Sequence, residues 1–166
     1  MEHLLDKLIR LLAHATELYQ SLLRVVENEK DAVVGLNLEQ LNEVCKAKDN
    51  LLLKLRILEE QRLQVMNRVA AELDCSPEGL TLSRLSEQVD QSYARRLVDC
   101  STDLLALIQT LQQVTQQNKS LVSHSMQLIE GSYHLLNSLT ADNPVYYRSG
   151  AVESGEETGR LLSGDF

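Results

Sequence analysis

Apolar residues recur three and four positions apart along residues 2–34, which is the period of an amphipathic helix. One seven-residue series contains Leu5, Leu12, Tyr19, Val26 and Val33, and a complementary series contains Leu8, Ala15 and Leu22. Further leucines widen this stripe, so we expect the helix to contact two other helices rather than one. Gly35 is a typical residue for the end of such a helix.

A second helical pattern begins after Asn37, whose side chain can accept a hydrogen bond from a free amide of the next turn. Its predicted apolar stripe contains Leu38, Leu41, Val44, Cys45, Leu51, Leu52, Leu55, Leu58, Val65, Met66, Val69 and Leu73. Because only a few residues join the two helices, they should pack as an antiparallel hairpin. Each helix would be roughly 50 Å long.

The longest helical pattern begins at Gln91, after a turn at residues 74–78 and a short helix at residues 82–89 that Thr81 can cap. The pattern leaves open whether a kink or a loop near Asp90 separates the short helix from the long one. If it continues unbroken to Leu139, the last helix is about 70–75 Å long, roughly 20 Å longer than the hairpin. Part of its apolar face is therefore expected to lack a partner within the chain.

Polar residues interrupt the apolar stripe of this last helix every seven residues, at Asn118, Ser125 and Ser132. The leucines between them are Leu121, Leu128 and Leu135. Polar residues in a helical seam can fix its register or allow close approach of helices. A partly covered face that accepts a partner helix is the alternative, and the pattern supports both equally.

Lys48 and Arg62 lie on or beside the apolar stripe of the second helix. Their methylene stems can pack while the charges reach water. Alternatively, they pair with acidic groups across the bundle or fix its register.

Composition favours helices throughout, with 7 Gly, 2 Pro and six aromatic residues in 166. We predict an all-α fold: an elongated antiparallel bundle of three long helices plus a short connecting helix. This bundle would occupy residues 1–140, and a flexible polar tail rich in Gly and Ser would occupy residues 141–166. The net charge of -8 makes nucleic acid an unlikely partner, because phosphate contacts need a basic face.

No pattern of catalytic, cofactor-binding or metal-binding residues emerges. Cys45, Cys75 and Cys100 are far apart and lack CxxC spacing, as expected for reduced thiols in a cytosolic protein. Glu130 and His134 lie four apart without a second matching pair, so they are interpreted as a solvated helix face. The sequence contains no secretory signal and no apolar run long enough to span a membrane, which predicts a cytoplasmic protein.

Four short motifs add a more specific signal. They are Glu43-x4-Lys48-x2-Leu51, Leu58-Glu59-x2-Arg62, Asn118-x2-Leu121-Val122-x2-Ser125 and Tyr147-Arg148-Ser149-Gly150. Their order and spacing, in a helical chain of this size, resemble the FlgN-type flagellar export chaperones over nearly the whole length.

This resemblance implies a cytoplasmic, non-enzymatic chaperone for hook-associated (hook-filament junction) proteins. It would bind their terminal helical segments before secretion, prevent premature assembly, and deliver them to the flagellar type III export apparatus. In that family, client binding is attributed to the C-terminal part of the chain. The corresponding candidate client-binding residues are Asn118, Leu121, Ser125, Leu128, Ile129, Leu135, Leu136, Tyr146, Tyr147, Gly150, Leu161 and Leu162.

Two other classes of function compete with the chaperone. The heptads could make a structural coiled-coil or adaptor protein that self-associates, for instance as a homodimer. A histidine phosphotransfer bundle is the third class, with His14, His124 and His134 as the histidines to consider. Neither His14 nor His124 has the Lys four positions on that usually accompanies such a site.

Overall fold

The structure, a computed structural model, describes residues 1–141, 145–146 and 152–153, with side chains through Leu139. Within these residues the elements are α1 (Glu2–Val34), α2 (Leu38–Glu72), α3 (Leu82–Gln88), α4 (Gln91–Ala141), β1 (Val145–Tyr146) and β2 (Val152–Glu153). A 3-10 turn over Pro77–Gly79 precedes α3. The prediction of an all-α fold with three long helices and a short one is confirmed.

The chain forms two compact units, Met1–Val122 and Ser123–Phe166, and the boundary between them falls inside α4. In the second unit, β1 and β2 pair antiparallel, with Val145 opposite Glu153. The sequence pattern did not indicate these two-residue strands. The division into a bundle over residues 1–140 and a tail over residues 141–166 stays a prediction.

The hairpin of α1 and α2 supplies most of the buried core. One cluster joins the first turns of α1 to the last turns of α2, and it contains Leu5, Leu8, Ile9, Leu12, Val65, Met66 and Val69. The second lies nearer the connection and contains Leu18, Leu22, Val26, Leu55 and Leu58. Leu85 of α3 and Leu97 of α4, both fully buried, complete the first cluster. Both α3 and α4 therefore contribute to the apolar cluster formed by the hairpin.

In the first unit, α4 runs parallel to α1 and antiparallel to α2. Near the start of both α1 and α4, Asp6 accepts hydrogen bonds from the Tyr93 hydroxyl at 3.4 Å and from Arg96 at 3.3 Å. Farther along both helices, the Asn118 amide donates to the carbonyl oxygen of Val26 at 2.7 Å. These pairs are separated by 87 to 92 residues in sequence, so the seam between α1 and α4 is built from distant parts of the chain.

The predicted helix starts are confirmed at atomic detail. The Asn37 side chain accepts from the backbone N–H of Gln40 at 3.0 Å, and the Thr81 hydroxyl accepts from that of Arg84 at 3.2 Å. Between α3 and α4, Val89 has extended backbone angles. A break rather than a continuous helix therefore separates the short helix from the long one.

The ends of α1 and α2 use a left-handed residue that is not glycine. Gly35 has right-handed angles, with φ of -76°, and Leu36 is the left-handed residue at φ 50°. The N–H of Asn37 bonds to the carbonyl of Ala32 at 3.0 Å, closing a Schellman motif. Asp74, at φ 54°, ends α2 in the same way. Gly35 thus lies one residue before Leu36, the left-handed position at which the conformational freedom of glycine would lower backbone strain.

Part of the predicted stripe on α2 is wrong. Leu38, Cys45 and Leu52 are exposed, as are three further apolar residues of this helix, Leu53, Ile57 and Leu63. The apolar pattern of α2 is wider than the face that packs against its neighbours, so periodicity alone overestimated its buried surface.

Leu36→Gly should raise the free energy of unfolding by about 0.5–1 kcal/mol, measured by urea denaturation. Glycine removes the steric cost of the left-handed conformation, about 1–2 kcal/mol, and part of this gain is offset by the greater freedom of the unfolded chain. Leu36 is 75% exposed, so little packing is lost. The control is Leu38→Gly in the first turn of α2, which should lower stability by about 0.5–1 kcal/mol. Destabilisation by both variants would contradict the role of Leu36.

Candidate functional site

A polar contact joins all three long helices inside the first unit. Lys48 of α2 donates to the Glu29 carboxylate of α1 at 2.6 Å, and Asn118 of α4 donates to the same carboxylate at 3.2 Å. Asn118 also bonds to the Val26 carbonyl of α1. We call Glu29, Lys48 and Asn118 the polar node. Lys48 therefore pairs with an acidic group across the bundle, which was one of the two predicted roles.

Asn118 lies in the interior rather than on a binding surface, because its side chain is only 3% exposed. Its amide hydrogens are both used, but its Oδ1 atom has no hydrogen-bond partner within the part of the chain that the structure describes. Leaving one buried acceptor unpaired costs about 1–3 kcal/mol. Asn118 is thus separated from the other candidate client-binding residues, and its arrangement matches the alternative of a seam residue that fixes register.

The next two candidates on the seam are only partly covered. Leu121 and Ser125 are half-buried, in contrast to Asn118 one turn earlier. After Ser125, every residue from Met126 through Leu139 is exposed. The burial of side chains along the α4 seam therefore decreases over about two turns after Asn118, and the side chains stay exposed through Leu139.

A continuous apolar surface occupies this exposed part of α4. The predicted residues Leu128, Ile129, Leu135 and Leu136 are between 61% and 73% exposed. Three further large residues are exposed beside them: Leu139, at the end of the predicted stripe, and Met126 and Tyr133, which the predicted stripe did not include. We call these seven residues the open face. Met126 and Tyr133 belong to a second apolar stripe with Ile129 and Leu136. Its alternating spacings of three and four residues are the sequence signal that could have identified them.

The open face covers about half of the circumference of the helix. At 3.6 residues per turn, the stripe Leu128–Leu135–Leu139 and the stripe Met126–Ile129–Tyr133–Leu136 are about 100° apart. The opposite side of the helix carries polar residues, which are Ser123, His124, Gln127, Glu130, His134, Asn137 and Ser138. Residues 123–139 thus form an amphipathic helix whose apolar side is exposed, which is typical of a protein interaction surface.

The serine within the open face does not require a hydrogen-bonding partner. The Ser132 hydroxyl donates to the backbone carbonyl of Leu128 at 2.8 Å, four residues earlier in the same helix. Its proton is therefore satisfied inside α4. An apolar partner could cover Ser132 without leaving a buried donor unpaired.

The candidates beyond α4 have no described side chains. The backbone of Tyr146 lies in β1, and its side chain is not described. Tyr147, Gly150, Leu161 and Leu162 lie outside the described residues.

Arg62, the other basic residue on the α2 stripe, pairs within its own helix. Its Nε and Nη2 atoms donate to the two carboxylate oxygens of Glu59 at 2.7 and 2.6 Å. These hydrogen bonds raise the pKa of the Arg62 guanidinium, against the opposing effect of burial. Within the motif Leu58-Glu59-x2-Arg62, Leu58 therefore packs against α1, whereas Glu59 and Arg62 form a bidentate ion pair inside α2.

The three cysteines are free thiols, and Cys100 is partly buried against the first core cluster. Burial raises the pKa of the Cys100 thiol, and the nearby carboxylates of Asp103 and Asp99 raise it further while Arg96 opposes them. A thiol with a raised pKa is a poor nucleophile at neutral pH.

The described residues contain no group of three or more His, Cys, Asp or Glu placed to hold a metal ion. Two clefts in the described part of the chain have volumes of about 160 and 90 Å³, well below the roughly 300 Å³ of a typical small-molecule site. No described helix is both long and apolar enough to cross a membrane. The open face is therefore the most distinctive candidate site in the described chain.

Glu29→Ala should lower the free energy of unfolding by about 1–3 kcal/mol, because Lys48 and Asn118 both lose their shared acceptor. The control is Glu27→Ala, at an exposed position of the same helix, which should change stability by less than about 0.5 kcal/mol. Urea denaturation measures both. Equal effects of the two substitutions would show that the polar node contributes nothing to stability.

Comparison with known proteins identifies the family. The family model described as FlgN protein matches residues 1–154, which include both core clusters, the polar node and the open face. Searches of the curated proteins and of the solved structures found no match. The family match covers more than nine-tenths of the chain and agrees with the motifs in the second and last helices. The chain belongs to the FlgN family of flagellar export chaperones.

Proposed function

We propose that this chain binds hook-associated (hook-filament junction) proteins in the cytoplasm before their secretion. It would hold their terminal helical segments against the open face of α4 and so prevent premature assembly. The chaperone would then deliver them to the flagellar type III export apparatus. The observation that carries this proposal is the open face, in which seven large apolar side chains are exposed on one side of a helix.

An amphipathic helix is the partner that best fits this surface. The open face keeps the alternating three- and four-residue spacing of a helical seam, so a second helix could insert its side chains between these residues. Such a helix would continue on α4 the same kind of packing that α1 and α2 provide to its earlier turns. Terminal segments that become ordered only on assembly are partners of this kind.

The expected affinity is moderate. Full burial of one Leu, Ile or Met side chain contributes about 1.5–3 kcal/mol, so the open face could supply well over 10 kcal/mol before costs. Association and ordering of a flexible segment consume a large part of that gain. A moderate net affinity suits a carrier that has to release its cargo at the export apparatus.

Recognition by this surface would depend on shape more than on charge. Glu130 is the only Asp, Glu, Lys or Arg within 123–139, and it lies on the polar side of α4 with His124 and His134. Charge pairs therefore contribute little to the open face, although the net charge of -8 keeps the chain soluble and apart from its own copies. Binding of this type should be only weakly sensitive to salt.

Residues 141–166 would add to the binding surface. This segment contains Tyr146 and Tyr147 close to the end of α4 and the apolar pair Leu161–Leu162 farther on. These side chains could close over a helix that lies on the open face. The division of labour proposed here gives α4 the main contact and residues 141–166 a supporting one.

Self-association is the second candidate function, and the heptad spacing of the open face supports it. Two copies could pair their open faces and form a homodimeric coiled-coil structural or adaptor protein. Analytical ultracentrifugation separates the candidates: a dimer that persists on dilution and is disrupted by a charge on the open face favours self-association. A monomer that binds a junction protein favours the chaperone.

Leu128→Asp should weaken binding to a hook-associated junction protein at least tenfold, because a carboxylate would be desolvated in the contact. The melting temperature should stay within about 2 °C of wild type, since Leu128 is 73% exposed. The control is Gln127→Asp, which places the same charge on the polar side of the helix and should change affinity less than about threefold. Calorimetry and circular dichroism measure the two quantities. Unfolding caused by Leu128→Asp would show that the open face is interior core.

A chain that ends at residue 140 should keep the helicity and melting temperature of the full chain but bind the junction protein more weakly. The reason is that residues 141–166 would support the bound segment without contributing to the bundle core. Co-purification with a full-length junction protein, and with one that lacks its terminal segments, measures the effect. Normal binding by the truncated chain would contradict the role of residues 141–166.

A further inference from the structure

The seam of α4 is repetitive, and apolar packing alone discriminates poorly between neighbouring registers. Leu97, Leu104 and Leu111 occupy one column at intervals of seven residues, and the column continues with Asn118 and Ser125. A slide of α4 by seven residues along α1 and α2 would move it by about 10 Å. In either direction two of the three leucines Leu97, Leu104 and Leu111 would take the place of another leucine, so this column of the core would change little.

The polar node does not repeat in this way. After such a slide, the place of Asn118 would be taken by Leu111 or by Ser125, depending on the direction. Leucine has no donor for Glu29, and a serine hydroxyl has one proton where Asn118 uses two. Only the observed register gives both hydrogen bonds from one side chain of α4, to the Glu29 carboxylate and to the Val26 carbonyl, beside the Lys48–Glu29 ion pair.

Asn118 would also lose its side-chain partner in another register. One heptad toward the start of α1, the seam is lined by the core residues Leu18, Leu22, Leu55 and Leu58. An amide buried there would lose the Glu29 carboxylate as an acceptor and gain no partner for its oxygen, which is already unpaired in the observed register. The polar node therefore acts mainly by destabilising the shifted registers of α4, and it stabilises the observed packing less.

We propose that Glu29, Lys48 and Asn118 are positioning residues that set the register of α4 on the hairpin. In doing so they would fix how many turns of the apolar stripe remain uncovered for a client. α1 ends at Val34, eight residues after Val26, whereas α4 continues to Ala141, 23 residues after Asn118. A slide of one heptad would bring Leu128 to the place of the half-buried Leu121 or expose one more turn. The link to client access rests on the proposed function; the setting of register does not.

Spin-label distances in the full chain test the register without any client. The labels would be placed at Lys7 of α1 and Gln113 of α4, which are both exposed and lie in the first unit. The three native cysteines would be replaced by alanine. This labelled chain without further substitutions is called the parent. It should give a single distance between the labels, because one register is populated. Asn118→Leu should add a second population shifted by up to about 10 Å, while its melting temperature equals or exceeds that of the parent.

A second variant, on a different helix, distinguishes a change of register from a general loss of folding. Lys48→Met removes the other donor to Glu29 and should also broaden or split the distance distribution, whereas Lys46→Met, at an exposed position of α2, should not. A single parental distance in both Asn118→Leu and Lys48→Met would overturn the proposal. So would a melting temperature of Asn118→Leu far below the parent, because the asparagine would then be acting chiefly through stability.

Client binding tests the functional part separately. Asn118→Leu should bind a junction protein several-fold more weakly than the parent, although its helices are intact, because part of its population presents a different length of open face. A split distance distribution with unchanged affinity would overturn the link between register and client access. In the parent background, Leu128→Asp tests the open face itself, so a failure of the proposed function is distinguishable from a failure of the register.

Discussion

The difference in length between α4 and the hairpin is the constraint on which the rest of the structure depends. α1 has 33 residues and α2 has 35, whereas α4 has 51. A helix can bury an apolar stripe only where other helices lie beside it, and every residue of α4 from Met126 through Leu139 is exposed. These last turns of α4 are amphipathic rather than polar. The extra length of α4 therefore presents an apolar surface.

The polar node complements this constraint. A long helix with a repetitive stripe has several nearly equivalent positions on a shorter support, and the node distinguishes one of them. The arrangement has a cost, because Asn118 Oδ1 is buried without a partner in the described structure. A leucine at this position would pack without that cost, and its absence is consistent with selection for one arrangement rather than for maximal stability.

Much of the fold was predictable from sequence, because it depends on local patterns. The bounds of α1, the caps at Asn37 and Thr81, and the three-long-helix architecture follow from periodicity and from side chains that satisfy nearby backbone amides. The exposed faces of α2 were not predictable in this way, since periodicity reports which residues are apolar and not which are covered. The same reason explains why Met126 and Tyr133, which are exposed beside the predicted Leu128 and Leu135, were missed. Asn118 was placed in the right seam, but only contacts with α1 show that it is interior.

The parallel arrangement of α1 and α4 has a consequence for the order of folding. Contacts within the hairpin join segments that follow each other directly, whereas Asn118 and Val26 are 92 residues apart. Closing so long a loop is entropically more costly than forming the hairpin, so this topology favours a hairpin that forms early and a last helix that docks late. During synthesis α4 also leaves the ribosome after α1 and α2. The surface proposed for clients is therefore completed after the hairpin that supports α4 already exists.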